Sequence, residues 1–319
     1  MSNHTPSITE QGDRILMGKN IAFIGLGHMG GPMAANLVKA GHHVAGFDLS
    51  PEALDAARSA GVEIAESAAQ AAAGANIIIT MLPAGRHVIG AYEGPDGLLA
   101  TASPGTLFLE CSTIAVDDAR KVHELLAAAG HRGLDAPVSG GTVGAENGTL
   151  TFMVGGGATD FAAAEPILAA MGQRIVHCGG PGAGQVAKVC NNMILGVSMI
   201  AVSEAFVLGE KLGLSNEALF DVASAASGQC WALTTNCPVP GPVPGSPANR
   251  DFAPGFAGSL MAKDLDLAVQ ALATAGVEAK MGSAAEEIYR NFAAGDGAGR
   301  DFSGIINEIR AAASAEAAA

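Results

Sequence analysis

Apolar residues follow two different rhythms along this chain. In the first half, short apolar runs bounded by glycine or polar residues alternate with alanine-rich stretches of helical spacing. Asn20-Ile21-Ala22-Phe23-Ile24 and His43-Val44-Ala45-Gly46-Phe47-Asp48 have strand length, and so do residues 75–81, 106–111, 133–138, 151–155 and 174–178. Between them, residues 29–40, 67–73, 116–129 and 159–171 are built of helix formers. Ser50-Pro51-Glu52 opens another helix, with Ser50 as cap and Pro51 at the first helical position. Regular alternation of strand and helix predicts a parallel sheet covered by helices.

Beyond Gly179-Gly180-Pro181-Gly182 the strand signal stops. Residues 186–212 predict one helix about 40 Å long at about 1.5 Å per residue. Residues 215–224, 259–274, 279–294 and 302–313 predict the other helices, and the proline-rich run 238–247 predicts a long surface loop. The fold class expected is therefore α/β. A Rossmann-type doubly wound parallel sheet spans residues 20–182, and an all-helical domain for substrate binding and oligomerisation spans 183–319. Residues 1–19 read as a flexible leader, and the alanine-rich tail 311–319 as a fraying end.

Composition narrows the function classes. At 319 residues, two domains are the natural expectation. An apolar share of 49% with 15% charged residues suits a folded globular chain. The net charge of -14 disfavours nucleic acid or an anionic membrane as partner, since either requires clustered Lys and Arg. Cys111, Cys178, Cys190, Cys230 and Cys237 show neither a disulfide framework nor metal-ligand spacing, which fits a reducing, cytoplasmic setting and no metal site. The apolar run 186–212 contains Lys188, Asn191, Asn192 and Glu204, which marks a buried helix and not a membrane span.

Gly25-Leu26-Gly27-His28-Met29-Gly30 lies where the first strand turns into the first helix. With 43 glycines in the chain, such a spacing also arises by chance. Its position between strand and helix is what gives it meaning. There the first glycine permits the tight turn, the second lets backbone approach a pyrophosphate, and the third lets the helix pack on the sheet. Asp48, with Leu49 after it, ends the second strand about 20 residues on, where a carboxylate accepts hydrogen bonds from ribose hydroxyls and repels a 2'-phosphate. NAD is the cofactor expected; the alternative for Asp48 is a cap on the following turn.

Lys188 and Asn192 stand at i and i+4 on the long helix and face one way. Lys188 is either a snorkelling cation or a proton carrier in a partly dry cleft, where its pKa would fall. Asp135-Ala136-Pro137-Val138-Ser139-Gly140-Gly141 follows a strand and offers a hydroxyl and backbone amides to a carboxylate, or is simply a turn.

Gly25 to Gly30, Asp135 to Gly141, Gly184-Gln185-Val186-Ala187-Lys188-Val189-Cys190-Asn191-Asn192 and Lys263-Asp264-Leu265 occur in the order that resembles the β-hydroxyacid dehydrogenases. Cys230-Trp231, residues 236–240 and the stretch from Gly255-Phe256 to Asp264 resemble the branch of that family that oxidises 3-hydroxyisobutyrate in valine breakdown. The resemblance implies that Lys188 is the general acid/base, that Ser139, Gly140 and Gly141 bind the substrate carboxylate, and that Asn192 orients the reacting group. It implies that Lys263, Leu82, Pro83, His87 and Thr113 lie beside the dinucleotide. His87, where the family commonly has a small polar residue, reads equally as a surface residue, and Trp231 as a lid or as core.

The partner implied is a small hydroxy acid, with the chain expected to form a homodimer or homotetramer. Rival readings are a reductase of tartronate semialdehyde or another short 3-oxo acid, an imine reductase, and a dinucleotide-sensing protein without turnover. Lys188, suited to hydroxyl chemistry, argues against the imine reductase, and Lys188, Asn192 and Ser139 together argue against the last.

Overall fold

The computed structural model describes residues 18–316, so most of the expected leader lies outside the described residues. Nine strands form one sheet: β1 (Asn20–Ile24), β2 (His43–Phe47), β3 (Glu63–Ile64), β4 (Ile77–Thr80), β5 (Leu107–Glu110), β6 (Arg132–Asp135), β7 (Val138–Ser139), β8 (Leu150–Gly156) and β9 (Gly172–Gly179). Their order is β3-β2-β1-β4-β5-β6-β8-β7, with β9 paired to β8. Strands β1 to β6 pair with one another in parallel. The strand order reverses between β1 and β4, which opens a crevice at their carboxyl ends.

The central strands read as continuous apolar runs because both faces are covered. Ile21, Phe23, Ile77, Ile79, Leu107 and Leu109 enter one buried cluster. Ala22, Ile24, Ile78 and Phe108 enter another on the opposite face. The covering helices are α1 (Gly30–Lys39), α2 (Pro51–Ser59), α3 (Ala68–Ala72), α4 (Gly85–Tyr92), α5 (Leu98–Thr101), α6 (Val116–Ala128), α7 (Gly141–Asn147) and α8 (Ala158–Leu168). Ser50 caps α2 as expected, its hydroxyl accepting the amide of Ala53 at 3.3 Å.

The sheet departs from the expected all-parallel form in one region. β8 runs antiparallel to β6 and β7, so the single strand expected over 133–138 is two. Pro137 separates them because it has no N–H to give to a ladder. Strand β3 and the short helices α4, α5 and α7 were not expected, since each is too short to show a period.

The second half is helical: α9 (Ala183–Lys211), α10 (Asn216–Ala225), α11 (Trp231–Thr234), α12 (Gly258–Ala275), α13 (Lys280–Ala294) and α14 (Ile305–Glu316). α9 has 29 residues and is long and apolar enough to cross a membrane. It instead packs against β8, α12, α13 and α14, contributing Met199, Ile200, Phe206 and Val207 to two buried clusters. Two expectations need correction here. The proline-rich segment is not wholly a surface loop, since Pro238, Val239, Ser246 and Pro247 are buried. The tail does not fray from residue 311, because α14 continues to Glu316; residues 317–319 lie outside the described residues.

Candidate active site

The glycine loop sits at the crevice between β1 and β4. Gly25 has φ +94, and a Cβ there would overlap the carbonyl of Met81 at the end of β4. A Cβ on Gly30 would overlap the carbonyl of Gly25, so this glycine sets how closely α1 approaches the turn. Gly27 is different: it is exposed and a Cβ would meet nothing within 4 Å. Space is left over the backbone where a pyrophosphate would approach. The first turn of α1 has no side-chain cap, which leaves its amides and dipole end to an anion. These features fit a dinucleotide.

Leu26 is buried, His28 is exposed and Met29 packs against the core beneath. Asp48 accepts the amide of Leu26 at 2.6 Å through Oδ2 and that of Ser50 at 2.8 Å through Oδ1. The carboxylate thus fixes the glycine loop to the end of β2 and also caps the next turn. A carboxylate has about four lone-pair sites, so acceptor capacity remains for ribose hydroxyls. Leu49 beside it is 89% exposed, an apolar surface at the rim of the crevice.

Two further turns meet at this end of the sheet. Leu82 donates its amide to Ser112 Oγ at 2.7 Å, tying the chain after β4 to the chain after β5. Lys263 on α12 reaches across, its Nζ donating to the carbonyl of Thr113 at 3.1 Å and lying 3.5 Å from that of Pro83. Leu82, Pro83, Thr113 and Lys263 are therefore one group. His87 is exposed on α4 and enters none of these contacts.

Lys188 and Asn192 share the buried face of α9, at 6% and 1% exposure. Burial pushes the Lys188 ammonium below its usual pKa; Asp264 opposes this and Lys263 adds to it. Asn192 Nδ2 donates to Asp264 Oδ2 at 2.5 Å, while its Oδ1 accepts from Asn191 at 2.9 Å. One amide hydrogen of Asn192 remains for a substrate oxygen. The snorkelling alternative for Lys188 fails, since its side chain does not reach solvent.

What orients α9 is a set of buried polar groups that sequence reasoning missed. Gln185 is fully buried; its Nε2 donates to the Ser112 carbonyl at 2.7 Å and its Oε1 accepts from Ile114 N at 3.3 Å. Asp135 accepts the amides of Gly182 at 2.8 Å and Gln185 at 3.0 Å, with His123 Nε2 2.9 Å away. It caps the helix that carries Lys188. Gln185 stands three residues before Lys188 on the same face, a spacing visible in the sequence.

Ser139 pairs with Thr151 on β8, the strand on which α9 also packs. Gly140 and Gly141 then enter α7 with φ +135 and +62. A Cβ on Gly141 would lie 2.9 Å from the carbonyl of Gly255, so the 255–256 segment closes over this turn. That segment is held by buried Asp301, which accepts the amides of Gly255 and Phe256, both at 3.0 Å. Trp231 starts α11 at 52% exposure, outside the core.

A glycine turn open to a dinucleotide, and a buried lysine on α9 whose charge is felt by the Lys263 that bonds the turns after β4 and β5, are features of a nicotinamide-dependent dehydrogenase. Residues 20–180 match the model described as the NAD binding domain of 6-phosphogluconate dehydrogenase. Residues 182–309 match the one described as NAD-binding of NADP-dependent 3-hydroxyisobutyrate dehydrogenase. The chain is 56% identical over 295 residues to a probable 3-hydroxyisobutyrate dehydrogenase of Mycobacterium tuberculosis, covering 92% of this chain and 99% of the relative. It is 52% identical over 288 residues to an NAD-dependent L-serine dehydrogenase of Pseudomonas aeruginosa, covering 89% and 96%. A solved structure of Mycobacterium tuberculosis 3-hydroxyisobutyrate dehydrogenase with L-serine superposes with TM-score 0.88 at 56% identity, covering 92% of this chain and 100% of the other. The chain belongs to the 3-hydroxyisobutyrate dehydrogenase family, within the NAD-dependent β-hydroxyacid dehydrogenases.

Proposed function

We propose that this enzyme oxidises 3-hydroxyisobutyrate to methylmalonate semialdehyde in valine catabolism, with Lys188 as the proton acceptor. The observation that carries the mechanism is Lys188 itself: a buried amine with a lowered pKa beside Asn192. A neutral amine there takes the proton of the substrate hydroxyl as the C–H bond breaks and the carbonyl forms. NAD supplies the hydride acceptor, the C4 of its nicotinamide. Asn192 gives its free amide hydrogen to the reacting oxygen, and the turn Ser139-Gly140-Gly141 holds the carboxylate. Asp48 receives the ribose hydroxyls, while Leu82, Pro83, Thr113 and Lys263 form the wall for the nicotinamide end.

Two related names among the relatives set the choice of substrate between 3-hydroxyisobutyrate and L-serine. The two differ in a methyl against an ammonium, and an apolar pocket favours the methyl. Tartronate semialdehyde, with its extra hydroxyl, asks for a further donor. NADH formation with 3-hydroxyisobutyrate, L-serine, glycerate and 6-phosphogluconate tests this: the highest kcat/KM is expected for 3-hydroxyisobutyrate, and a higher value for L-serine overturns the substrate. A homodimer or homotetramer in the cytoplasm completes the proposal. Ile194 and Leu208 on α9, Leu212 just after it and Val222 on α10 are exposed apolar residues, and the five cysteines are free thiols.

A further inference from the structure

The buried acid at the end of β5 takes no part in the mechanism above. Glu110 is 2% exposed and lies in register with Thr80 on β4 and Asp135 on β6. Its Oε1 accepts from the amide of Ser112 at 2.9 Å and from Thr80 Oγ1 at 3.2 Å, and Thr80 Oγ1 is 3.1 Å from the Tyr92 hydroxyl. Its Oε2 is buried with no partner. A negative charge on that oxygen would be neither hydrated nor bonded, and it would face Asp135.

The turn that Glu110 holds bears several contacts at once. Ser112 Oγ receives Leu82, the Ser112 carbonyl receives Gln185 of the Lys188 helix, and the Thr113 carbonyl receives Lys263. We propose that Glu110 is a positioning residue: as a neutral acid it sets the Ser112-Thr113 turn that forms the nicotinamide wall, and on ionisation the unhydrated charge on Oε2, facing Asp135, outweighs the bonds at Oε1 and drives the side chain out of that turn. Burial pushes its pKa up, the bonds from Ser112 and Thr80 pull it down, and Asp135 pushes it up again, to about 7. The other groups facing it are Tyr92 from α4 and the adjacent Cys111, both pushed up by burial and by Glu110 itself. From α6, His123 contacts Asp135.

Binding of NADH, read from its own fluorescence, tests this without any substrate. Its neutral ring also removes direct attraction between a carboxylate and the cationic nicotinamide. In the wild type, Kd is expected to rise about fivefold between about pH 6 and about pH 8.5. Glu110→Gln, which is neutral throughout, should bind like the wild type at the lower pH and show no rise. Glu110→Ala should bind weakly at both. A wild-type Kd that does not rise with pH overturns the proposal, and so does Glu110→Gln binding as weakly as Glu110→Ala at the lower pH. A rise that persists in Glu110→Gln belongs to another group and equally overturns the proposal.

Discussion

Replacing Glu110 by glutamine should remove a specific pH dependence from the protein's stability. The carboxyl changes from a pKa of 4.5 in the unfolded chain to about 7 in the folded protein. Below about pH 4.5 both states hold the proton and Glu110 has no pH effect. As pH rises above that, the unfolded chain ionises while the folded protein keeps its proton, so each unit favours unfolding by about 1.4 kcal/mol. The effect is complete once pH passes about 7, and it amounts to about 3 kcal/mol, an upper figure for a group this deeply buried. Glutamine places an amide where Oε2 has no partner, which costs about 1–3 kcal/mol, but that cost is constant with pH. The signature is therefore the slope and not the offset. Melting temperatures of the two proteins, measured without cofactor from about pH 4.5 to about pH 8, should diverge by about 5–10 °C in favour of the variant as pH rises. A difference that stays constant over this range would mean that folding does not alter Glu110's proton affinity.

Other consequences separate fold from chemistry. Gly27→Ala should leave the melting temperature unchanged, since its Cβ meets nothing, yet weaken NADH binding by at least about 1 kcal/mol, roughly fivefold. Gly30→Ala should instead destabilise the fold by about 1–3 kcal/mol, because its Cβ would overlap the Gly25 carbonyl. Asp264→Asn keeps a polar partner for Asn192 but removes the charge that raises the Lys188 pKa. The acid limb of kcat/KM for oxidation, where Lys188 must lose its proton, should then move to lower pH; movement to higher pH would contradict the assignment. Gln185→Leu leaves the Ser112 carbonyl and the Ile114 amide unpaired, a loss of about 1–3 kcal/mol that should lower stability and kcat together.

The parts of this protein legible in its sequence are those with a local cause. β1, the glycine loop and α1 follow from an apolar run, three glycines and a helical stretch within a few turns of chain. The one-faced pair Lys188 and Asn192 follows from helical spacing. What sequence could not show depends on residues far apart in the chain. The antiparallel pairing of β8 with β6 and β7 is set by which edge remained open. The partners of Asn192 and Gln185 lie 72 and 73 residues away, at Asp264 and Ser112. Asp48 caps the following turn, one of the two roles its position suggests, but its hold on the Leu26 amide, 22 residues away, comes from the fold. Glu110 lies inside the strand expected over 106–111 without distinction, because only burial by neighbouring strands gives its carboxyl a meaning.

The proposed reaction requires Lys188 to carry the proton. Lys188→Met should reduce kcat for 3-hydroxyisobutyrate oxidation by at least about a hundredfold while leaving the Kd of NADH within about twofold of the wild type. Turnover within about threefold of the wild type, with NADH bound normally, would contradict that role.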